Sequence, residues 1–568
     1  MSQEVFDSKN QDYEKIVWTA TDILRPRRLY NPLDAVSLCA MAYLVRKTDA
    51  YQVEELQKII DDEVIDYAVK GHLLRFTVEF WEEIKQLSHV AGMKDLKAAA
   101  LLCNVDTEQM GMINTPDSLI KLVSRVLDIN EHDSVYDQCS GMGSFLTRVA
   151  LTYPAKSYHG AEINSDMVII SKIRSWLLDD FFDIYNMNVF KMDVENVRAT
   201  KVFSNHPWGL MDRQLAQEVK NYSNYATYLK DIPVSKCLDW AFILSALEAQ
   251  QDGGKTVVVV PTNSLSRARS EAELRKKLTV NGKLEAIIEL PERMFAYTAL
   301  SASLLVFSEG NSAVRMVDAS GFGKRMKMTV TFSAEDIDEI IALIDTDNKK
   351  SILVSHDTME KNEFNWCATR YLALENQTID NGVYLKKLVL EVRRGMAIPA
   401  KDLEKITSDK ETDYQYLMLQ HINDNKVDEN LTFIDSVDPK WEKALVHNGE
   451  LLISRTAPFK SAVMENENGH KVMANGGLFI LKLDTSKVNP YYVMLYLRSQ
   501  QGQAQLNSIS HGAVMISFAQ KDLDFIMIPM IPMKKQKEIV VEYKKLRNKL
   551  EEIRREERNV RVNIDKLL

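Results

Sequence analysis

Apolar residues change their spacing three times along this chain, and each change predicts a different architecture. Up to about residue 105 they recur at helical intervals, as in Ala35-Val36-Ser37-Leu38-Cys39-Ala40-Met41-Ala42-Tyr43-Leu44-Val45, with Pro26 and Pro32 punctuating the start. Residues 1–105 are therefore expected to form a helical domain. From 106 to 375 short apolar runs alternate with helical stretches. Ser134-Val135-Tyr136-Asp137 reads as a strand, followed by a glycine-rich turn and a helix starting near Ser144. Lys255–Pro261, Leu284–Leu290 and Ser303–Phe307 read as further strands. Buried strands alternating with helices predict a doubly wound α/β sheet, which binds ligands beyond the carboxyl ends of its strands. Between 380 and 532, pieces such as Leu451-Leu452-Ile453-Ser454 and Gly477–Leu483 are separated by Asn, Asp and Gly turns, which predicts an α+β domain. Over 533–568, Ile539, Tyr543, Leu546, Leu550, Ile553, Val560, Ile564 and Leu567 follow steps of four and three, with Glu557 in the one vacant position. That heptad seam predicts a long coiled-coil-like helix, packed on its own chain or against a partner.

Composition narrows the class. At 568 residues the chain exceeds a single core, and three or so domains are expected. No apolar run reaches the roughly 20 residues that span a bilayer. The N-terminus is polar and acidic without a signal-peptide pattern, so a cytoplasmic location is expected, with no membrane partner. Cys39, Cys103, Cys139, Cys237 and Cys367 are scattered without a CxxC pair or a neighbouring His cluster, which predicts reduced thiols and no structural metal. The net charge of −9 does not suggest nucleic acid, but the field at a groove decides that question locally. The tail from Lys534 to Leu568 is basic, with 12 Lys/Arg against 7 Asp/Glu.

Two short strings carry the candidate chemistry. In Asp137-Gln138-Cys139-Ser140-Gly141-Met142-Gly143-Ser144-Phe145-Leu146, Asp137 ends a strand and the glycines admit a ligand without Cβ clashes. Tyr158-His159-Gly160-Ala161-Glu162 reads as a second strand ending in an acid, able to accept both hydroxyls of a ribose. Asp193 follows a third apolar stretch and can accept from an adenine amino group. The second string is Ser204-Asn205-His206-Pro207-Trp208-Gly209. The exocyclic amine of a base is a poor nucleophile, because its lone pair is delocalised into the ring. An enzyme that methylates it flips the base onto an aromatic face and places acceptors around the amine hydrogens. Asn205 offers a side-chain carbonyl, His206 a backbone carbonyl and Trp208 a stacking face.

Together the strings resemble the cofactor and target-base loops of S-adenosylmethionine-dependent DNA adenine-N6 methyltransferases, a Rossmann-like fold. In that family's Asn-Pro-Pro-aromatic pattern the second position is proline, where this chain has His206. The stretch Val17 to Tyr371 is similar to the modification subunit of type I restriction–modification systems. The similarity includes Val17–Arg25 at the opening of the helical domain. Gly111-Met112-Ile113-Asn114-Thr115-Pro116 is similar to that family's cofactor-contacting element. Gly254 to Leu265, Arg275–Leu278, Leu290–Phe295, Asn365 and Arg370-Tyr371 are also family-like. The resemblance implies S-adenosylmethionine held by Thr115, Pro116, Asp137, Cys139, Gly141, Gly143, Phe145, Glu162 and Asp193, with Asn205, His206, Pro207 and Trp208 at the reacting base. Gly449–Arg455 and Ile528–Val540 resemble half of the specificity subunit of the same systems. This implies a target-recognition domain over 380–532 and a spacer helix over 533–568. Double-stranded DNA is the implied partner, with a homodimer through the tail reading two half-sites and a restriction or translocase subunit as a further partner.

Phosphate and base contacts are expected among Arg393, Arg394, Lys401, Arg455, Lys460 and Lys471 of that domain. Two functions follow. One is an active adenine-N6 methyltransferase in restriction–modification or phage defence. The other is a catalytically impaired DNA-binding sensor or scaffold on the same fold, which the loss of proline at His206 favours. A complete restriction enzyme is disfavoured, because no Asp…Glu-x-Lys nuclease set is found.

Overall fold

The central sheet combines parallel pairs around its glycine-loop strand with antiparallel pairs toward its other edge. The computed structural model describes residues 12–27, 31–103, 114–219, 238–267, 270–296, 298, 300–327, 329–376, 379–435, 438–466, 468–510 and 517–565. Gly111-Met112-Ile113, Cys237 and Leu567 lie outside the described residues. Packing divides the chain into Met1–Leu372 and Ala373–Leu568.

Among the described residues the first unit begins with six α-helices: α1 (Asp12–Leu24), α2 (Pro32–Thr48), α3 (Val53–Asp62), α4 (Tyr67–Glu79), α5 (Trp81–Val90) and α6 (Met93–Leu102). Asn31 caps α2 through Leu33 N, with Pro32 at the first helical position where no backbone donor is needed. Next come α7 (Asp117–Leu127), β1 (Ser134–Asp137), α8 (Ser144–Thr152), β2 (Ser157–Glu162), α9 (Ser165–Leu178), β3 (Phe182–Asn186) and β4 (Ala199–Ser204). The unit continues with α10 (Asp239–Glu248), β5 (Gln250–Pro261), β6 (Leu284–Glu289), β7 (Ala302–Phe307), β8 (Ala313–Asp318) and β9 (Ser351–Ser355). These strands form one nine-stranded sheet in the order β9-β8-β6-β7-β5-β4-β1-β2-β3.

The sheet is rich in parallel pairs but is not wholly parallel. β7 is antiparallel to both β5 and β6. The described residues between β6 and β7 carry no helix, so the chain turns straight back instead of crossing over. Val257 and Leu304 on one face and Val258 and Leu305 on the other are at most 1 % exposed, because layers cover both faces of the sheet.

The helical region expected to end near residue 105 is not a separate body. Its core contains Leu38, Leu73 and Leu96 together with Met142 of the loop after β1 and Met167, Ile170, Ile173 and Leu177 of α9. One face of α9 completes that core, which joins the helical layer to the sheet.

In the second unit, Val389–Arg394, Leu478–Leu483, Leu451–Ser454 and Ser461–Val463 pair antiparallel in that order. A five-stranded sheet around Tyr414–Leu417 and Lys471–Ala474 accompanies them. The C-terminal helix, Met533–Asp565, shows two stripes. One is polar. Lys544 and Arg547 pair with Glu465 (3.2 and 2.9 Å), Glu551 with Lys426 (3.1 Å) and Arg554 with Asp424 (2.6 Å). The heptad seam lies one residue round from it, and Ile539, Leu546, Leu550, Ile553, Val560 and Ile564 are 43–57 % exposed. The helix is held to its own unit by charge, by Val540 and by the half-buried seam residue Tyr543, while the rest of the described apolar seam is exposed.

Phe145 stacks on Phe203 with ring centroids 4.3 Å apart, in the core between α8 and β4. Phe145→Ala is expected to cost about 3–5 kcal/mol in urea unfolding. Phe181→Ala, on a ring 76 % exposed, is expected to change stability by no more than about 0.5 kcal/mol.

Candidate active site

β1 lies between β2 and β4, parallel to both, so the loops leaving all three strands open on one edge of the sheet. Those loops line a cavity of about 460 Å³, within the range of small-molecule and cofactor sites. Gln138, Cys139, Gly141 and Met142 come from the first loop, Glu162 and Ile163 from the second, and Asn205, His206, Pro207 and Trp208 from the third.

The two glycines of the first loop do different work. Gly141 has φ +53°, and a Cβ there would meet nothing within 4 Å, so its backbone faces open space. Its amide donates to Glu162 Oε2 (2.9 Å). Gly143 has φ +72°, but a Cβ there would lie 2.3 Å from Ser171 Oγ of α9. Gly143 thus serves helix packing, not the cavity as expected. Glu162 also accepts from Asn164 N through Oε1 (2.8 Å), and burial raises its pKa. Asp137 sits behind the loop, 2 % exposed, with Oδ1 lacking a hydrogen-bond partner. Burial pushes its carboxyl up to about 8.

Further expected cofactor contacts fall elsewhere. Phe145 is 1 % exposed, stacked on Phe203 in the core beneath the loop. Asp193 is exposed and caps a short 3-10 helix by accepting from Glu195 N (3.2 Å). The chain makes an additional short helix between β3 and Asp193, and Asn188 and Phe190 of that turn line the cavity instead. Asn188-Val189-Phe190, just after the third strand, is the local sequence signal for this lining. Thr115 and Pro116 border a neighbouring cavity of about 600 Å³, and Asn114 borders both.

Thr115 does reach the reacting end. Asn205 Nδ2 donates to Thr115 Oγ1 (2.9 Å), which leaves the Asn205 carbonyl oxygen as an acceptor for a ligand. Trp208 is fixed by its indole N–H on Val259 O (3.2 Å) and meets Phe295 edge-on, with centroids 4.9 Å apart. Pro207 is exposed. The His206 side chain turns inward and is fully buried, stacked on Phe242 of α10 at 4.9 Å and 12°. Its Nε2 lies 3.9 Å from Asp239 Oδ1. Both ring nitrogens lack hydrogen-bond partners, and burial holds the pKa down to about 4, so the ring is neutral. The same Asp239 accepts from Gly209 N (2.8 Å) and from Arg267 Nη1 (3.2 Å). Stacking on one side of the loop and Asp239 at its end replace the stiffness of a second proline.

The six cations expected at DNA divide sharply. Arg393 is committed to Glu450 and to the carbonyls of Lys443 (3.3 Å) and Leu445 (2.7 Å). Lys460 Nζ donates to the carbonyls of Leu419 (3.4 Å) and Ile422 (2.7 Å). Both act as internal braces. Arg394 and Arg455 both donate to Gly476 O, at 3.2 and 3.1 Å. Lys401 is exposed, and so is Lys471, which lies over the Tyr414 ring.

Residues 100–380 match the family model described as N-6 DNA Methylase. The chain is 24% identical over 296 residues to the MpnII type I restriction enzyme methylase subunit of Mycoplasma pneumoniae, covering 47% of this chain and 53% of that protein. It is 24% identical over 293 residues to the MjaVII type I restriction enzyme methylase subunit of Methanocaldococcus jannaschii, covering 46% and 49%. The chain thus spans about half the length of these curated relatives. A crystal structure of a type I restriction-modification system methyltransferase subunit from Streptococcus thermophilus superposes with a TM-score of 0.51 at 17% identity, covering 63% of this chain and 98% of that one. That likeness shows a shared fold.

A histidine with a depressed pKa is neutral when folded and protonated when unfolded between pH 6.5 and about 4, so acid favours unfolding over that window. Denaturant unfolding of the wild type should therefore lose about 2 kcal/mol more between pH 7 and pH 5 than His206→Pro loses. Equal losses would show that His206 is protonated or solvated in the folded protein.

Proposed function

We propose that this chain, whose residues 100–380 match the N-6 DNA Methylase family model, is a site-specific DNA adenine-N6 methyltransferase using S-adenosylmethionine. The observation that carries the reading is that one cavity is lined both by the Gly141–Glu162 pair and by the Asn205–Trp208 loop. Cofactor and base would then meet without either loop moving far.

The residues present fit that cofactor. Gly141 leaves space where a side chain would block a ligand, and Asp137 holds an unsatisfied buried oxygen behind the loop. Glu162, although bonded to two backbone amides, presents remaining lone pairs to ribose hydroxyls. Asn188 and Phe190 take the adenine-side role in place of Asp193. S-adenosylmethionine supplies an electrophilic methyl group on a sulfonium centre. Asn205 Oδ1 and the His206 carbonyl accept the two amine hydrogens of a flipped adenine, which returns electron density to its nitrogen. Trp208, unable to swing because of its bond to Val259 O, offers the stacking face, worth roughly 1–3 kcal/mol. The His206 backbone carbonyl is available whatever the side chain does. Its inward packing supports retained activity over the impaired-sensor reading.

We assign 380–532 to DNA target recognition, with Arg394, Lys401, Arg455 and Lys471 as the cations placed to meet DNA and Arg393 and Lys460 as braces. The outward apolar seam of the C-terminal helix supports a homodimer that reads two half-sites. The relatives' description as type I subunits supports a separate restriction or translocase partner.

Purified protein with tritiated S-adenosylmethionine and unmethylated mixed-sequence DNA is expected to yield labelled N6-methyladenine. Asn205→Ala should lower the rate by about 10²–10³. DNA and cofactor binding by the wild type without incorporation would overturn the enzymatic reading in favour of a sensor or scaffold.

A further inference from the structure

The loop after β1 is held from behind by a buried arginine to which the mechanism above gives no role. Arg174, on α9, is 0 % exposed. Its Nε donates to Ala100 O (3.3 Å) and its Nη2 to Cys103 O, both at the C-terminal end of α6. Its Nη1 donates to Met142 O (2.9 Å) and to Ser144 Oγ (3.2 Å). Four acceptors on two elements thus share one guanidinium. The partial negative charge at the end of α6 stabilises the cation there, and its planar fork lets it serve both elements at once.

The neighbouring contacts restrain the loop in the same direction. Met142 is 3 % exposed, with its side chain in the helical core. Gly143 lies against Ser171, one turn before Arg174 on the same helix. Between these anchors and Glu162 stands Gly141, whose backbone faces the cavity. The position of the Gly141 amide is therefore set from two sides, by Glu162 in front and by Arg174 behind. No acceptor of Arg174 is a carboxylate, so a neutral side chain there would free the Met142 carbonyl without exposing a buried acid.

We infer that Arg174 is the positioning residue of the cofactor loop, joining the end of α6 to Met142 and Ser144 so that cofactor affinity depends on the docked helical layer. The inference rests on reading this loop as the S-adenosylmethionine site. A methyltransferase whose cofactor loop is anchored on a second helical layer loses cofactor affinity when the anchor loosens, even if its chemistry is intact.

The test uses the full chain. Titration calorimetry with S-adenosylmethionine compares wild type, Arg174→Gln, Arg174→Lys, Ser144→Ala and Leu96→Ala. Leu96, buried in α6 and not among the acceptors of Arg174, supplies a control for stability loss. Arg174→Gln is expected to weaken cofactor binding by roughly tenfold, with Ser144→Ala intermediate and Arg174→Lys partly rescuing. KM for the cofactor should rise with kcat nearly unchanged at saturation. Hydrogen exchange at residues 140–144 should quicken in Arg174→Gln even without cofactor. A folded Arg174→Gln with wild-type affinity and exchange overturns the inference, as does a loss no greater than that of Leu96→Ala at matched melting temperature. If Arg174→Gln does not fold, Ser144→Ala decides by the same readouts. A wild type that binds no S-adenosylmethionine would instead overturn the functional reading, while the exchange comparison would still judge Arg174.

Discussion

Parallel pairing of β1 with β4 is the constraint on which the candidate site depends, and one buried side chain secures it. Beyond the last ladder position, Gln138 N donates to Phe203 O (2.9 Å). Its carboxamide accepts from Ser204 Oγ (2.6 Å) and donates to Phe242 O of α10 (3.1 Å). Gln138 is 1 % exposed, so a missing partner would leave a desolvated amide, at about 1–3 kcal/mol per group. All its bonds are made only when β1, β4 and α10 share one arrangement. That arrangement brings the glycine loop and the Asn205 loop to the same cavity. β2, paired on the other side of β1, adds Glu162.

The histidine in the Asn205 loop illustrates how a fold can absorb a departure from a motif. A prolyl ring stiffens a loop covalently, through φ. His206 leaves φ free and is held instead by the Phe242 ring and by the confined space beside Asp239. The substitution has an electrostatic consequence, because a buried imidazole without hydrogen bonds must stay neutral. Rigidity that a proline would supply at any pH is here tied to a titratable ring.

The second unit shows a different economy. Several cations that look equivalent in the chain serve internal geometry, Arg393 by closing on Glu450 and Lys460 by closing on two loop carbonyls. Arg394 and Arg455 converge on a single carbonyl, so two like charges stand together there. Along the C-terminal helix, charges bind the helix to its own unit and leave the apolar seam outward, the reverse of the usual amphipathic arrangement.

Sequence by itself determined the elements whose signal is local. Strand ends at Asp137 and Glu162, the helix from Ser144, the strands near Val257, Ile287 and Leu304, the Asn205 loop and the heptad steps after Ile539 were all legible, because alternation, glycine turns and seams are short-range patterns. Tertiary structure decided what depends on contacts between distant segments. It reversed β7, joined the helical region to the sheet through Met142 and α9, sank Phe145 against Phe203 and moved Asp193 off the cavity in favour of Asn188. It also separated bracing cations from exposed ones. None of these has a local signature, since burial and hydrogen-bond partners arise only when residues far apart in the chain pack together.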